Sequence, residues 1–294
     1  MNKVSLYGGM GNQMFQYAAN VALNEKGVKS QISILDFLVN RHHNGFDMGR
    51  AFDLELPFPL NLYNFTIQNA RFLLENRVVS SFSSRFLKVY FQKKSIYREK
   101  KEFVFDENVF NQEDKFLIGT WQDTKYFQGI ESLIKRKFQF KKPTDKINKS
   151  LIREIKNRNA VSIHVRRGDY INDQWAKSHF VIKDEKYFLN AVNYIESKVD
   201  SPHFYVFSDD IQWVKKNIKI ANVTFVDHNL GKKSYNDMFL MSLCRHNIIS
   251  NSTFSWWAAW LNKNENKTVI MPDKWLIGKE TPGIFPNNWI KIKV

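Results

Sequence analysis

Apolar positions recur along this chain with two alternating periods, and the alternation predicts a repeating strand and helix architecture. Val4-Ser5-Leu6 reads as a short strand, followed by the loop Gly8-Gly9-Met10-Gly11. Over residues 12–26, Phe15, Ala18, Ala19 and Ala22 fall at i, i+3, i+4 and i+7, the apolar stripe of a helix packed on a sheet, and Gly27 stops it. A second strand is expected over 31–35. Further on, the pattern predicts a helix over 151–156 and a strand over 160–165, in which Val161, Ile163 and Val165 alternate with Ser162 and His164. A helix over 185–197 and a strand over 203–207 come next, the strand running into Ser208-Asp209-Asp210. A helix over 234–245 has Ser234 and Asp237 at capping-box spacing. A short strand over 247–249 leads through Ser250-Asn251-Ser252-Thr253 to a helix whose Phe254, Trp257, Ala258 and Leu261 share one apolar face. Such alternation favours a parallel sheet in each half, with ligands bound where the strands end.

The charge-rich stretch Lys141-Lys142-Pro143-Thr144-Asp145-Lys146 separates two regions of different texture and sets domains of 1–143 and 144–294. With 43% hydrophobic and 15% aromatic residues over 294 positions, the chain can bury a sizeable core, which excludes the disordered class. No charged start with a long apolar run marks a secretory signal, and no stretch of about 20 apolar residues is long enough to span a bilayer, so a cytoplasmic protein is expected. The single Cys244, among Leu240, Met241 and Leu243, reads as core filling in a reducing compartment.

A formal charge of +15 implies an anionic partner: a nucleic acid, a membrane surface or a phosphorylated small substrate. The basic residues crowd between 85 and 101 and between 135 and 142. Nothing resembles a zinc finger, an RRM signature or a basic leucine zipper, which argues against nucleic acid. In the first cluster Phe82, Phe86, Val89, Tyr90 and Phe91 accompany Arg85, Lys88, Lys93 and Lys94. Two readings of it stand: a basic amphipathic element for an anionic membrane, or a solvated helix face packed on its domain.

Three motifs carry chemistry. The loop containing Gly9 and Gly11 lets a backbone approach a ligand, and a helix start offers N–H groups to an anion. Met14 stands where a dinucleotide fingerprint has its third glycine, which weakens Asp36 as a ribose-binding acid, and no Gly-Lys-Ser/Thr ending makes the loop a P-loop. Asn12 and Gln13 are amides suited to sugar hydroxyls or phosphate oxygens. In His164-Val165-Arg166-Arg167-Gly168-Asp169-Tyr170, two guanidinium forks at a strand end match phosphate oxygens, Gly168 permits the turn that aims them, and Asp169 can hold one in place. Asn251, Ser252, Thr253 and Ser255 cluster small polar side chains at a helix start, as in a phosphate cradle, although one of Ser252 and Thr253 is expected to be an ordinary N-cap. The neighbouring Trp256 and Trp257 are either a stacking surface or core.

Four segments, Gly-Gly-Met-Gly-Asn-Gln-Met-Phe-Gln-Tyr at 8–17, His-Val-Arg-Arg-Gly-Asp-Tyr at 164–170, Phe-Ser-Asp-Asp at 207–210 and Ile-Ile-Ser-Asn-Ser-Thr-Phe-Ser-Trp-Trp-Ala-Ala-Trp-Leu at 248–261, resemble in order the motifs of bacterial α-1,2-fucosyltransferases, glycosyltransferase family 11. The resemblance implies an α/β fold of GT-B type, two Rossmann-like domains with parallel sheets facing a central cleft. It also implies inverting transfer of L-fucose from GDP-β-L-fucose to the 2-hydroxyl of a terminal galactose, in surface polysaccharide or O-antigen synthesis. The resemblance further implies that no metal is required and that no cofactor is bound permanently. The domain of 1–143 then serves the acceptor, a galactose-terminated oligosaccharide or lipid-linked glycan, and that of 144–294 binds GDP-fucose. In the family's pattern, which the following roles also take from the resemblance, Arg166 meets the diphosphate, and Arg167 and Asp169 order the loop. Asp209 or Asp210 accepts hydrogen bonds from guanine, while Asn251, Ser252, Thr253, Phe254 and Ser255 hold the phosphates. Asn12 lies near the reacting sugar, beside the loop of Gly9 and Gly11. His164 and Asp169 are candidates for the general base by position alone. A different sugar-nucleotide donor is the alternative reading, and a lipid-linked acceptor suits peripheral attachment to the inner face of the cytoplasmic membrane.

Overall fold

In a computed structural model of the chain, residues 1–39, 44–54, 96–168, 179–182 and 184–294 are described. Asp169 and most of the basic segment beginning at Arg85 lie outside them. The chain divides into two units, Met1–Gln139 and Phe140–Val294.

The first unit runs β1 (Asn2–Ser5), α1 (Met10–Glu25), β2 (Ser30–Ser33), short helices at Asp36–Val39 and Met48–Ala51, β3 (Ile96–Arg98), β4 (Phe116–Ile118) and α2 (Glu131–Lys137). Its four described strands are parallel in the order β2-β1-β4-β3. α1 is buried on more than the predicted stripe: Gln13 and Gln16 are as inaccessible as Met14 and Phe15. They survive there because each amide is consumed by backbone groups. Gln13 donates to the carbonyls of Gly8 and Gly45 and accepts from Asp47 N–H, while Gln16 accepts from Tyr7 N–H. Gly27, at φ 80°, ends the helix as expected, and Val28 N–H reaches back to Leu23 O at 2.9 Å.

The second unit runs α3 (Lys146–Lys156), β5 (Ala160–Val165), α4 (Lys186–Glu196), β6 (His203–Ser208), α5 (Ile211–Asn217), β7 (Val223–Val226), α6 (Tyr235–Leu243), β8 (His246–Ile248), α7 (Thr253–Leu261), β9 (Val269–Pro272) and β10 (Ile290–Ile292). Its described strands form one parallel sheet ordered β10-β9-β8-β5-β6-β7. β5 sits centrally and every residue in it is buried. Its apolar face, Val161, Ile163 and Val165, packs in a core with Tyr187, Ala191 and Ile195 of α4. The other face is also buried, so the Ser162 and His164 alternation marks internal hydrogen bonding and not a solvated surface. Asn247 Nδ2 donates to Ser162 Oγ at 2.7 Å and to Met241 O at 2.9 Å, and His164 Nδ1 lies 3.1 Å from Ser250 Oγ.

Two local expectations give way. α3 starts at Lys146, ahead of the predicted 151, because Asp145 caps it by accepting from Asn148 N–H at 2.8 Å. That hydrogen bond holds the Asp145 carboxyl below its ordinary pKa. The capping box at Ser234 and Asp237 does not form. Ser234 already has helical angles, φ −58° and ψ −23°, and Asp237 turns to accept from Asn229 Nδ2 at 2.8 Å. Buried there, Asp237 is pushed up to about 8.

Candidate functional site

The order of the second sheet reverses at β5. From that strand the chain steps to β6 and β7 on one side, then returns to lay β8, β9 and β10 on the other. Crossover connections from β5 and β8 therefore diverge, leaving a crevice outside their carboxyl ends, where open α/β sheets bind ligands. The arginine motif leaves β5 at that point, and Ser250-Asn251-Ser252-Thr253 leaves β8 beside it. The His164 to Ser250 contact links the two exits.

Each arginine is held by a carboxylate from the end of β6. Arg166 pairs with Asp209 Oδ2 at 3.0 Å, with side chains 27% and 25% exposed, and Arg167 N–H donates to Asp209 Oδ1 at 2.8 Å. Arg167 Nε lies 3.5 Å from Asp210 Oδ2, and its guanidinium stacks 3.7 Å from the Trp213 ring. Asp210 also caps α5, accepting from Trp213 N–H at 3.2 Å. Asp209 and Asp210, expected as guanine acceptors, thus also position the arginines, and each carboxylate stays partly exposed. Gly168 has no left-handed φ, so it is not needed for the turn. A Cβ there would sit 3.0 Å from Asp209 Oδ2, so its bare Cα makes room for that carboxylate.

The polar run after β8 divides. Ser255 is fully buried and donates to Ser252 O at 3.2 Å, and buried Asn251 donates to Trp275 O at 3.1 Å. Neither side chain faces solvent. Ser252, Thr253 and Phe254 are partly exposed at the start of α7. Ser252 holds the N-cap position in extended conformation, yet its hydroxyl makes no cap hydrogen bond. Trp256 and Trp257 are wholly inaccessible, which settles them as core. His164 is 6% exposed and lies against Phe254, ring centroids 5.6 Å apart. Burial, aided by Arg166, pushes it down to about 3, so the ring stays neutral and its place is in the scaffold under the motif. A general base needs access to the proton it takes, and burial of His164 argues against that role.

In the first unit the glycine loop also differs from expectation. The left-handed residue is Gly8, φ 74°, while Gly9 is the N-cap of α1 and Gly11 is buried in its first turn. A Cβ on Gly8 would meet Asn12 Nδ2 at 3.0 Å. Partly exposed Asn12 accepts from Gln122 Nε2 at 3.0 Å, whereas Gln13 is structural. Sequence reading missed Gln122 and Trp213, and it placed Ser250 in the run after β8 without its contact to His164. Among the described residues no group of three or more His, Cys, Asp or Glu side chains is placed to hold a metal ion, and no helix is long and apolar enough to cross a membrane.

Comparison with known proteins agrees with the motifs. The family model described as Glycosyl transferase family 11 matches residues 70–293. The chain is 32% identical to the O-antigen biosynthesis glycosyltransferase WbnK of Escherichia coli, over 98% of this chain and 99% of that protein. It is 29% identical to the alpha-1,2-colitosyltransferase of Escherichia coli, over 98% and 97% of the two chains. A shorter match, 33% identical over 35% of this chain and 29% of the other, joins it to the human galactoside alpha-(1,2)-fucosyltransferase 1. With a family model covering most of its length and a full-length relative above 30% identity, this chain belongs to glycosyl transferase family 11.

Proposed function

We propose that the protein transfers L-fucose from GDP-β-L-fucose to the 2-hydroxyl of a terminal galactose, with inversion, in building a surface polysaccharide such as an O-antigen. The observation that carries this reading is the pair Arg166 and Arg167 at the β5 and β8 switch point, braced by Asp209 and Asp210 from the end of β6, with the partly exposed start of α7 following the neighbouring strand β8. Loss of GDP leaves a sugar with oxocarbenium character and builds negative charge on the β-phosphate. A guanidinium fixed in advance stabilises that charge without reorganising. Ser252 and Thr253 with the N-terminus of α7 supply hydrogen-bond donors to the same diphosphate. Asp209 and Asp210 hold the arginines, and Asn12 serves the acceptor side. The charge of +15 supports a cytoplasmic enzyme that sits peripherally on an anionic membrane, within reach of a lipid-linked acceptor.

The full-length likeness to an alpha-1,2-colitosyltransferase favours a second donor, colitose on the same nucleotide. A donor screen decides. Purified protein is given GDP-L-fucose, GDP-colitose and other GDP- and UDP-sugars with a galactose-terminated acceptor, and product linkage is read by NMR. An α-1,2-fucosylated galactose is the expected product. Turnover of GDP-colitose in preference to GDP-fucose replaces the donor, and no response to any GDP compound defeats the whole reading.

A further inference from the structure

The first sheet has its own reversal. β1 is flanked by β2 on one side and by β4 on the other, so a crevice is expected outside the carboxyl ends of β1 and β4. The side chains gathered at this edge differ in kind from the arginines of the second unit. Tyr7 follows β1, Glu99 follows β3, and Thr120, Trp121 and Gln122 follow β4, with Asn12 bonded to Gln122. Glu99 Oε2 accepts from Thr120 N–H at 2.7 Å, Thr120 Oγ1 at 3.2 Å and Trp121 N–H at 3.2 Å. Its other oxygen, Oε1, has a single long contact, 3.5 Å to the Tyr126 hydroxyl. The residue as a whole is half-buried.

Trp121, beside Glu99, is strained and under-satisfied. It holds a left-handed backbone, φ 53°, and is 1% exposed, yet its indole N–H has no acceptor. The edge of the indole next to that nitrogen lies over Gly119, where a Cβ would come within 2.8 Å of Trp121 Cε2 and 2.6 Å of Glu99 Cβ. A buried donor without a partner is costly, and strained backbone concentrates at functional sites. Carboxylate, amides and a phenol make an environment for a neutral polyhydroxyl ligand, not for an anion.

We propose that this edge of the first unit receives the acceptor sugar and that Glu99 takes the proton from its attacking hydroxyl. The inference rests on the glycosyl-transfer reading above. As the bond from the anomeric carbon to the β-phosphate oxygen breaks, its electron pair leaves with GDP. The acceptor oxygen forms the new bond to that carbon, and its proton passes to Glu99 Oε1. Burial pushes the Glu99 carboxyl up to about 7, so its basicity is matched to neutral pH while a useful fraction remains ionised. The base must be unprotonated, so transfer should fall as pH drops through that value.

The test compares wild type with Glu99→Gln, using GDP-L-fucose and lactose, and measures GDP affinity alongside. A glutamine oxygen still accepts from Thr120 and Trp121 N–H, so a bracing role survives the change and a proton-accepting role does not. The expected result is a loss of kcat of about 100-fold or more, disappearance of the acidic limb of kcat/KM near pH 7, and unchanged GDP affinity. Glu99→Asp should keep a limb at reduced rate. Transfer within about threefold of wild type with an unaltered pH profile overturns the proposal while leaving the donor reading intact. A wild-type kcat/KM that stays flat from about pH 5.5 to about pH 8.5 overturns it as well, whatever the stability of the variant. Wild type that neither binds GDP nor transfers any sugar removes the donor reading, and this inference with it.

Discussion

Replacing Arg166 with alanine is expected to lower turnover by about 10²–10³-fold, the typical loss, about 3–4 kcal/mol, when one preorganised donor is removed from developing negative charge. Stability should hardly change. The Arg166 and Asp209 side chains are 27% and 25% exposed, and partly solvated ion pairs contribute about 0–1 kcal/mol. Arg166→Lys keeps the charge but loses the planar fork, so it should fall between the two. Steady-state kinetics on a donor that wild type uses, with a melting curve for each variant, checks this. Near-normal kcat for Arg166→Ala would remove Arg166 from the reaction.

The largest effect on stability is expected at Trp256. Its side chain is wholly buried in α7, stacked with Trp260 at 6.3 Å and packed against Trp257 and Trp289. Its indole N–H donates to Ile284 O at 2.8 Å, tying the helix to the segment that leads into β10. Trp256→Ala should cost about 3–5 kcal/mol through lost burial and the cavity left behind. Trp256→Phe retains most of the ring but strands the Ile284 carbonyl, so a smaller cost of about 1–3 kcal/mol is expected. Denaturant unfolding followed by tryptophan fluorescence measures both. A variant Trp256→Ala as stable as wild type would mean that α7 does not depend on this cluster.

Long, strongly periodic segments were legible in the sequence. The stripe Phe15, Ala18, Ala19, Ala22 and the run from Ala160 to Val165 correspond to α1 and β5, because apolar period follows directly from which face is buried. Strands such as β3, β4 and β10 have three residues each, too few to show a period, and exist through pairing with distant partners. Motif positions were readable to the strand end, but the use of each side chain was not. Whether Ser255 faces a ligand or its own helix, and whether Asp210 meets a base or caps α5, depends on rotamers and neighbours that spacing does not encode. Glu99 lay in no motif. Its significance comes from burial and from a turn contributed by residues about twenty positions away.

The pairing of Arg166 with Asp209 and of Arg167 with Asp210 also bears on selectivity. An anion arriving at these arginines meets guanidinium charge already part-balanced by tethered carboxylates, which keep the forks in place. The net attraction is therefore reduced. A small monoanion gains little from it. A diphosphate presents several charged oxygens on one skeleton and can engage both forks in a single event. On the proposed reading, the built-in acids set a valence threshold that favours a nucleotide diphosphate over simple anions.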